Sequence, residues 1–351
     1  MNCNPINRTR GTRPSRTTCG IPQCVAWLLL SALSIGNLVT LSAQQETIYM
    51  SVLASRKHRI GAQDNPTVGL FVSTDQGLTW CHRNWTTYIR TFYTEAGNDG
   101  TLWSGCNNGV FRSTDQGASW RITTGWQVTE VLKVKADPQH PSIVYAATAY
   151  GILKSTDAGE TWKEKNNGFQ STFTPDVVVD KSSSRNVLAA TEEGIYRSTN
   201  GGDRWQRATL AGTGIRVIVQ DPIRAHVFWA GTEDYGLVQS VDAGKTWKPA
   251  GKELSGFTIY TIAVDPKNSQ RIFVGTFGKG VYRSLDGGET WQSMNGGLSN
   301  LVVHSLAILP SNPSIVFTGT LNGGLFRSTD GGTSWKYNSQ DEGQVWGLFV
   351  R

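Results

Sequence analysis

The chain has 351 residues and a formal net charge of +6, but residues 1–43 hold four arginines and no acidic residue, so the remainder carries only +2. This balance excludes a strongly basic nucleic-acid-binding protein. Charged residues make up only 17% while glycine (39) and tryptophan (13) are abundant, which excludes disorder and a helical bundle and favours an all-β chain with many tight turns.

The first predicted element is a secretory signal peptide over residues 1–43. Residues 1–24 are polar and basic, the run from Cys24 to Leu41 is mostly apolar, and Ala43 provides a small residue for cleavage before Gln44. The alternative is an uncleaved anchor, but this apolar run is short for a membrane span and is interrupted by polar residues. We therefore expect an exported chain, periplasmic or extracellular, that is monomeric and does not span the membrane after cleavage.

Cleavage would leave two of the five cysteines, Cys81 and Cys106. They fall at the start of a predicted outer strand and the end of a predicted inner strand. We expect two small buried thiols, although export permits a disulfide between them. The cysteines and histidines show no zinc spacing, so we expect neither a metal nor a cofactor.

One motif, S-x-D-x-G-x-[T/S]-W, recurs seven times at intervals of 40 to 44 residues. The fourth copy departs from it, with Asn200 for aspartate and Arg204 for the Thr/Ser position. The third and last motif positions are Asp75 and Trp80, Asp115 and Trp120, Asp157 and Trp162, Asn200 and Trp205, Asp242 and Trp247, Asp286 and Trp291, and Asp330 and Trp335. Since seven equivalent copies cannot line one site, these residues are predicted to stabilise turns rather than to catalyse a reaction.

Each repeat contains four short strand-like runs separated by Gly, Pro, Asn and Asp. This pattern predicts a seven-bladed β-propeller of four-stranded antiparallel blades over residues 44–351. The C-terminal run Val345–Val350 matches a first strand, whereas the run from Thr47 to Val52 matches a second strand. We therefore expect the C-terminal strand to complete the N-terminal blade and close the ring.

The motif is the Asp-box, or BNR, repeat, and nearly all of residues 45–351 resembles the Asp-box β-propeller superfamily. That superfamily includes sialidases, xyloglucan-active endoglucanases, sortilin-type receptor domains and photosystem II assembly-factor propellers. The last group implies an exported, single, seven-bladed and non-enzymatic protein, in agreement with the size and repeat count. The boxes are specific for the fold and almost uninformative about function.

The enzymes and receptors of the superfamily fit the sequence less well. Sialidases have six blades and an N-terminal Arg-Ile-Pro element, which is absent here; Arg59-Ile60-Gly61 is not a substitute. Xyloglucanases usually pair two propellers around a cleft. Sortilin-type domains have more blades and a Cys-rich appendage.

Two groups of residues are the candidates for a site, both on the face opposite the Asp-box turns. Aligning the first strands on their Asp-Pro ends predicts a ring around the channel mouth, formed by Arg90, Leu132, Pro175, Arg216, Tyr260, His304 and Trp346. Of these, Arg90, Arg216, Tyr260, His304 and Trp346 are the ligand-binding candidates. Two consecutive loops are acidic and supply weak catalytic candidates, Glu192, Glu193, Glu233 and Asp234.

The sequence favours a binding or assembly scaffold that engages a protein or glycan on this face. Nearly the whole chain is used for blades and short loops, whereas catalytic propellers usually carry longer insertions. The alternative is a glycosidase in which a pair of the acidic loop residues flanks the scissile bond. An arginine at a strand start often only pairs with such an acid, and an acidic loop is most often simply solvated.

Overall fold

Short runs rich in β-branched and aromatic residues alternate with turn-forming residues along the chain, and each run forms a strand. A computed structural model describes residues 46–55, 67–83, 90–340 and 342–351. These residues form seven four-stranded antiparallel sheets, which are the predicted blades of a β-propeller. The predicted leader at residues 1–43 lies outside the described residues.

The first blade combines strands from both ends of the chain, namely β1 (Ile48–Ser55), β2 (Gly69–Ser73), β3 (Cys81–His82) and the last strand, β28 (Gly343–Val350). The strands of blades 2 to 4 are β4 (Thr91–Ala96), β5 (Leu102–Cys106), β6 (Gly109–Ser113) and β7 (Arg121–Ile122); β8 (Val131–Ala136), β9 (Val144–Thr148), β10 (Gly151–Ser155) and β11 (Lys163–Glu164); and β12 (Asp176–Asp180), β13 (Ser183–Thr191), β14 (Gly194–Ser198) and β15 (Gln206–Thr209). Those of blades 5 to 7 are β16 (Ile215–Gln220), β17 (Phe228–Thr232), β18 (Leu237–Ser240) and β19 (Lys248–Ala250); β20 (Ile259–Asp265), β21 (Asn268–Thr276), β22 (Val281–Ser284) and β23 (Gln292–Ser293); and β24 (Val303–Ile308), β25 (Val316–Thr320), β26 (Gly324–Ser328) and β27 (Lys336–Ser339). A short 3-10 helix, Lys252–Leu254, follows β19.

The two ends of the chain close the ring as predicted. Strand β28 pairs antiparallel with β1, with Ile48 opposite Val350 and Tyr49 opposite Phe349. Backbone hydrogen bonds of 2.9 Å join Thr47 and Arg351 in both directions. The first strand of each blade contacts the first strands of its neighbours, so these seven strands surround the central channel. Closure leaves no open edge on the inner side of the ring.

The Asp-box turns form a repeated hydrogen-bond network, seen in blade 3. Ser155 Oγ donates to Asp157 Oδ1 (2.7 Å) and accepts the N–H of Gly159 (2.8 Å). The N–H and the hydroxyl of Thr161 donate to the two carboxylate oxygens of Asp157, at 2.9 and 2.6 Å. These donors, the hydroxyl first, lower the pKa of Asp157 to about 2. The carboxylate of Asp157 is thus engaged by hydrogen bonds within its own turn.

The fourth turn keeps this geometry with different residues. Asn200 Oδ1 accepts from the hydroxyl of Ser198 (2.8 Å) and from the N–H of Arg204 (3.0 Å). Arg204 has no hydroxyl, so the second side-chain bond of the other boxes has no counterpart here. An amide oxygen therefore suffices to hold the turn.

The motif tryptophans pack between blades, and each comes just before the fourth strand of its blade. Trp205 Nε1 donates to the carbonyl of Lys165 (2.7 Å), and Trp335 Nε1 donates to that of Met294 (2.7 Å). Both acceptors belong to the preceding blade. These two tryptophans thus add a directional bond between blades to the apolar area that they bury.

Three of the buried aspartates at the ends of the first strands join consecutive blades. Each accepts a hydrogen bond from a side chain of the next blade, on the same face as the Asp-box turns. The pairs are Asp137 with Ser184 (2.9 Å), Asp180 with Gln220 (2.8 Å) and Asp221 with Ser269 (2.5 Å). This network explains the repeated acidic strand ends without assigning them a function.

One of the two cysteines differs from expectation. Cys106 is a fully buried free thiol, and its burial raises its pKa to about 12. Cys81 is half-buried on the outermost strand of blade 1, so the expectation of two buried thiols is wrong for this residue. Because Cys106 is free, the two cysteines do not bond to each other.

Candidate functional site

The two faces of the propeller differ in the side chains that they expose. We call the face with the Asp-box turns the lower face, and the opposite face, with the second-to-third-strand loops, the upper face. The exposed large aromatic residues in the described loops all lie on the upper face: Trp126, Tyr150, Tyr235 and Phe277. The exposed large apolar residues of the described lower-face turns and loops are aliphatic: Leu78, Ile223, Val241 and Leu285. Aromatic residues concentrate at binding surfaces, so the upper face is the better candidate.

An irregular pairing at the start of the inner strands builds a ring around the channel mouth on the upper face. In blade 6, Ile259 pairs with Thr276 and Thr261 with Gly275, so Tyr260 is left unpaired. The same shift occurs at Arg216, His304 and Trp346 in their blades. The side chains that line the mouth are Phe92, Leu132, Pro175, Arg216, Tyr260, His304 and Trp346.

Arg90 does not take the position in this ring that the sequence alignment gave it. It is exposed, its N–H donates to Asn107 Oδ1 (2.7 Å), and Phe92 occupies the ring position instead. Blade 2 lacks the Asp-Pro end used for the alignment. Gly97 is the equivalent residue in blade 2. Its N–H donates to the carbonyl of Thr101 (2.8 Å), as the N–H of Asp137 at the Asp-Pro end of blade 3 donates to the carbonyl of Ile143 (2.8 Å). The ring position is therefore two residues later than expected.

Four of the ring residues form an aromatic arc, which we define as Phe92, Tyr260, His304 and Trp346. The ring of His304 stacks on Tyr260 (centroids 4.6 Å apart, 19° between planes) and on Trp346 (4.6 Å, 14°). Phe92 meets Trp346 edge-on at 5.6 Å. His304 is therefore covered on both faces, whereas Tyr260 and Trp346 each have one face covered by it.

The arc carries polar atoms that lack partners within the protein. Burial lowers the pKa of His304 to about 4, so its imidazole is neutral at pH 7. The indole N–H of Trp346 is buried and has no acceptor. A buried donor without an acceptor is costly, and a ligand that accepts from it would recover that cost.

The arginine of the ring is held by one of the acidic loops. Arg216 Nη2 lies 2.6 Å from Glu233 Oε2, and its side chain is 23% exposed against 44% for the acid. The Nε of Arg216 is buried without an acceptor. The ion pair thus orients the guanidinium at the mouth while leaving it a free donor.

The four acidic loop residues have separate environments, and none of them lines the channel. Glu233 pairs with Arg216, and Asp234 Oδ1 accepts from the hydroxyl of Thr258 (2.6 Å). Glu192 is exposed and Glu193 is half-buried. The structure therefore does not bring these carboxylates together around a cavity.

The channel below the arc contains charged residues that the sequence analysis did not select. The channel and its mouth together form one cavity of about 860 Å³, within the size range of small-molecule sites. Blades 2 to 4 contribute Tyr93, Glu95, Lys133, Lys135, Asp176 and Lys181 to its wall. The available signal was the alternation of Lys133 and Lys135 in an inner strand, where apolar residues are expected.

No group of three metal-ligating side chains is assembled among the described residues. Within the same residues, no helix has the length and apolar character needed to cross a membrane.

Comparison with known proteins gives similarity of fold. A family model for sortilin (neurotensin receptor 3, Sortilin-Vps10) matches residues 235–346, which is less than half of the chain. No curated protein matches the sequence.

Three solved structures represent the similar folds. An ancestral GH74 enzyme has a TM-score of 0.58 and 19% identity, over 74% of this chain and 38% of its own. An extracellular domain assigned to a one-component system of B. thetaiotaomicron has a TM-score of 0.62 and 16% identity, over 83% of this chain and 39% of its own. YCF48 bound to D1 peptide has a TM-score of 0.53 and 18% identity, over 74% of this chain and 92% of its own.

The chain therefore spans less than half the length of the first two of these structures but nearly all of the YCF48 chain. At these identities the likeness concerns architecture and leaves the activity open. Repeat spacing, turn geometry and structural similarity agree that the chain is a single seven-bladed β-propeller of the Asp-box type.

Proposed function

We propose that this protein is an exported binding module that captures a peptide segment of a partner protein at the mouth of the channel on its upper face. The proposal rests on one observation. Arg216 and the aromatic arc surround the mouth of an open channel, and this ring of residues contains N–H donors without acceptors. Two buried N–H groups without acceptors, on Arg216 and Trp346, suit backbone or side-chain carbonyls of a partner. In this proposal residues 1–43 are the cleaved leader and the mature chain acts as a monomer.

A peptide suits this mouth better than a glycan does. A sugar ring packs on the face of an aromatic ring, but the stack covers both faces of His304 and one face each of Tyr260 and Trp346. Ring edges and single donors instead suit an extended backbone with apolar side chains. The single-propeller YCF48 structure, which is bound to a peptide, supports the same class of ligand.

Selection of linear peptides from a random library on the immobilised protein tests the proposal. Enriched peptides should bind the protein in fluorescence anisotropy and lose at least tenfold in affinity with Trp346→Ala or Arg216→Glu. Tyr337→Ala, an aromatic truncation on the outermost strand of blade 7, is the matched control and should bind normally. Melting temperatures of all the variants separate loss of the site from loss of the fold.

The glycosidase alternative is tested in parallel by measuring reducing ends released from plant, bacterial and sialylated polysaccharides. Release that disappears in Glu233→Gln would replace the binding proposal with an enzyme. A failure to enrich any peptide, or equal binding by Trp346→Ala, Arg216→Glu and the wild type, would also contradict it.

A further inference from the structure

The wall of the channel is divided into a cationic side and an apolar side. Blades 2 to 4 supply three lysines, Lys133, Lys135 and Lys181. The opposite side comes from blades 5 to 7 and includes Val217, Val219, Ile262, Val264, Leu306 and Ile308. A ligand that fits both sides must be anionic at one end and apolar along its body.

Lys133 is a lysine of this wall that forms no ion pair with the described residues. Its ammonium lies 3.5 Å from the ring centroid of Tyr93, a cation–π contact, and no carboxylate of the described residues lies within 4.0 Å of it. By contrast, the ammonium of Lys135 forms an ion pair with Glu95 and lies 5.5 Å from the same ring. Burial lowers the pKa of Lys133, as expected for a cation that its surroundings only partly compensate.

The nearby carboxylates are already engaged. Asp176 is buried, and its two oxygens accept the N–H groups of Val177 (2.8 Å) and Ile218 (3.1 Å). Glu95 accepts from Lys135 and from the hydroxyl of Tyr93 (3.2 Å).

At the mouth, Arg216 is paired with Glu233, and Glu130 is exposed. Below the mouth, three lysines thus line the channel beside two carboxylates, and neither Lys133 nor Lys181 forms an ion pair with a described residue.

We propose that the channel binds a small organic acid with an apolar body, its carboxylate on Lys133 and its body along the wall of blades 5 to 7. This ligand lies below the aromatic arc, so the proposal stands whether or not a peptide binds at the mouth. A charge-assisted hydrogen bond to a partly desolvated ammonium is stronger than one at the surface, which gives the carboxylate its selectivity. The cavity of about 860 Å³ is large enough for a medium-chain acid.

Isothermal titration of the purified protein with three ligands of equal chain length tests the assignment. Octanoate should bind, octanol should bind at least tenfold more weakly, and octylammonium should not bind. Lys133→Met should weaken octanoate at least tenfold while leaving octanol unchanged. Lys163→Met, at an exposed lysine of the outer strand of blade 3, is the matched control and should leave both affinities unchanged.

Lys133→Arg distinguishes loss of the positive charge from damage to the fold. The variant keeps the cation and should therefore retain octanoate binding within a few-fold. Equal affinity for octanoate and octanol, or octanoate binding that survives Lys133→Met, would overturn the assignment. Absence of octanoate binding would also overturn the assignment, even if a peptide with a free C-terminal carboxylate binds. Loss of peptide capture at the mouth with intact octanoate binding would reject the proposed function alone.

Discussion

The stacked histidine of the mouth makes the stability of the protein depend on pH in a way that one substitution can isolate. His304 lies between the rings of Tyr260 and Trp346, and burial lowers its pKa from 6.5 to about 4. Between these two values the unfolded chain binds a proton that the folded protein excludes. Stability is therefore at its full value above pH 6.5 and falls as the pH drops toward 4.

The size of the effect follows from the two pKa values. The full difference corresponds to roughly 3 kcal/mol, of which about 2 kcal/mol is already lost at pH 5. In His304→Phe the ring and its stacking remain but the titrating group is gone. The free energy of unfolding in urea should thus fall by about 2 kcal/mol less between pH 7.5 and pH 5 in the variant than in the wild type.

The difference between the two pH profiles is the quantity to measure, because the carboxylates and the other histidines titrate equally in both proteins. Circular dichroism at several pH values gives the unfolding free energies. Profiles that stay parallel from pH 7.5 to pH 5 would refute the argument, since they would show that the imidazole is not desolvated by the stack.

Two further predictions concern the core. Gly288→Ala should cost about 2–4 kcal/mol of stability, and Gly212→Ala only about 1 kcal/mol. Both glycines have a positive φ, but a Cβ at Gly288 would lie 2.5 Å from Trp229, whereas a Cβ at Gly212 would meet nothing within 4 Å. Equal urea midpoints for the two variants would contradict the packing argument. Cys106 should not react with a thiol reagent in the native protein, because burial raises its pKa to about 12. Cys106→Ser should accordingly show the same native thiol count as the wild type and one thiol fewer in urea.

Most of the architecture could be predicted from the sequence because its signals are local. The seven boxes fix the number of blades, since each turn is held by residues within seven positions of one another, such as Ser155, Asp157 and Thr161. Alternating apolar residues mark the strands, and the match of Val345–Val350 to a first strand determined how the ring closes. Local chemistry also excluded a catalytic role for the box aspartates.

The content of the site could be predicted only in part, because it depends on the register between strands and on which strands face each other. The shifted pairing at the start of the inner strand of blade 2 decides that Phe92 rather than Arg90 joins the ring. The stacking of Tyr260, His304 and Trp346 joins three blades that are distant in sequence. Lys133 and the valine and leucine wall belong to opposite sides of the channel, and only closure of the ring places them around one cavity. The repeats thus determine the scaffold through contacts between near neighbours, whereas the ligand surface arises from residues that only the closed ring brings together.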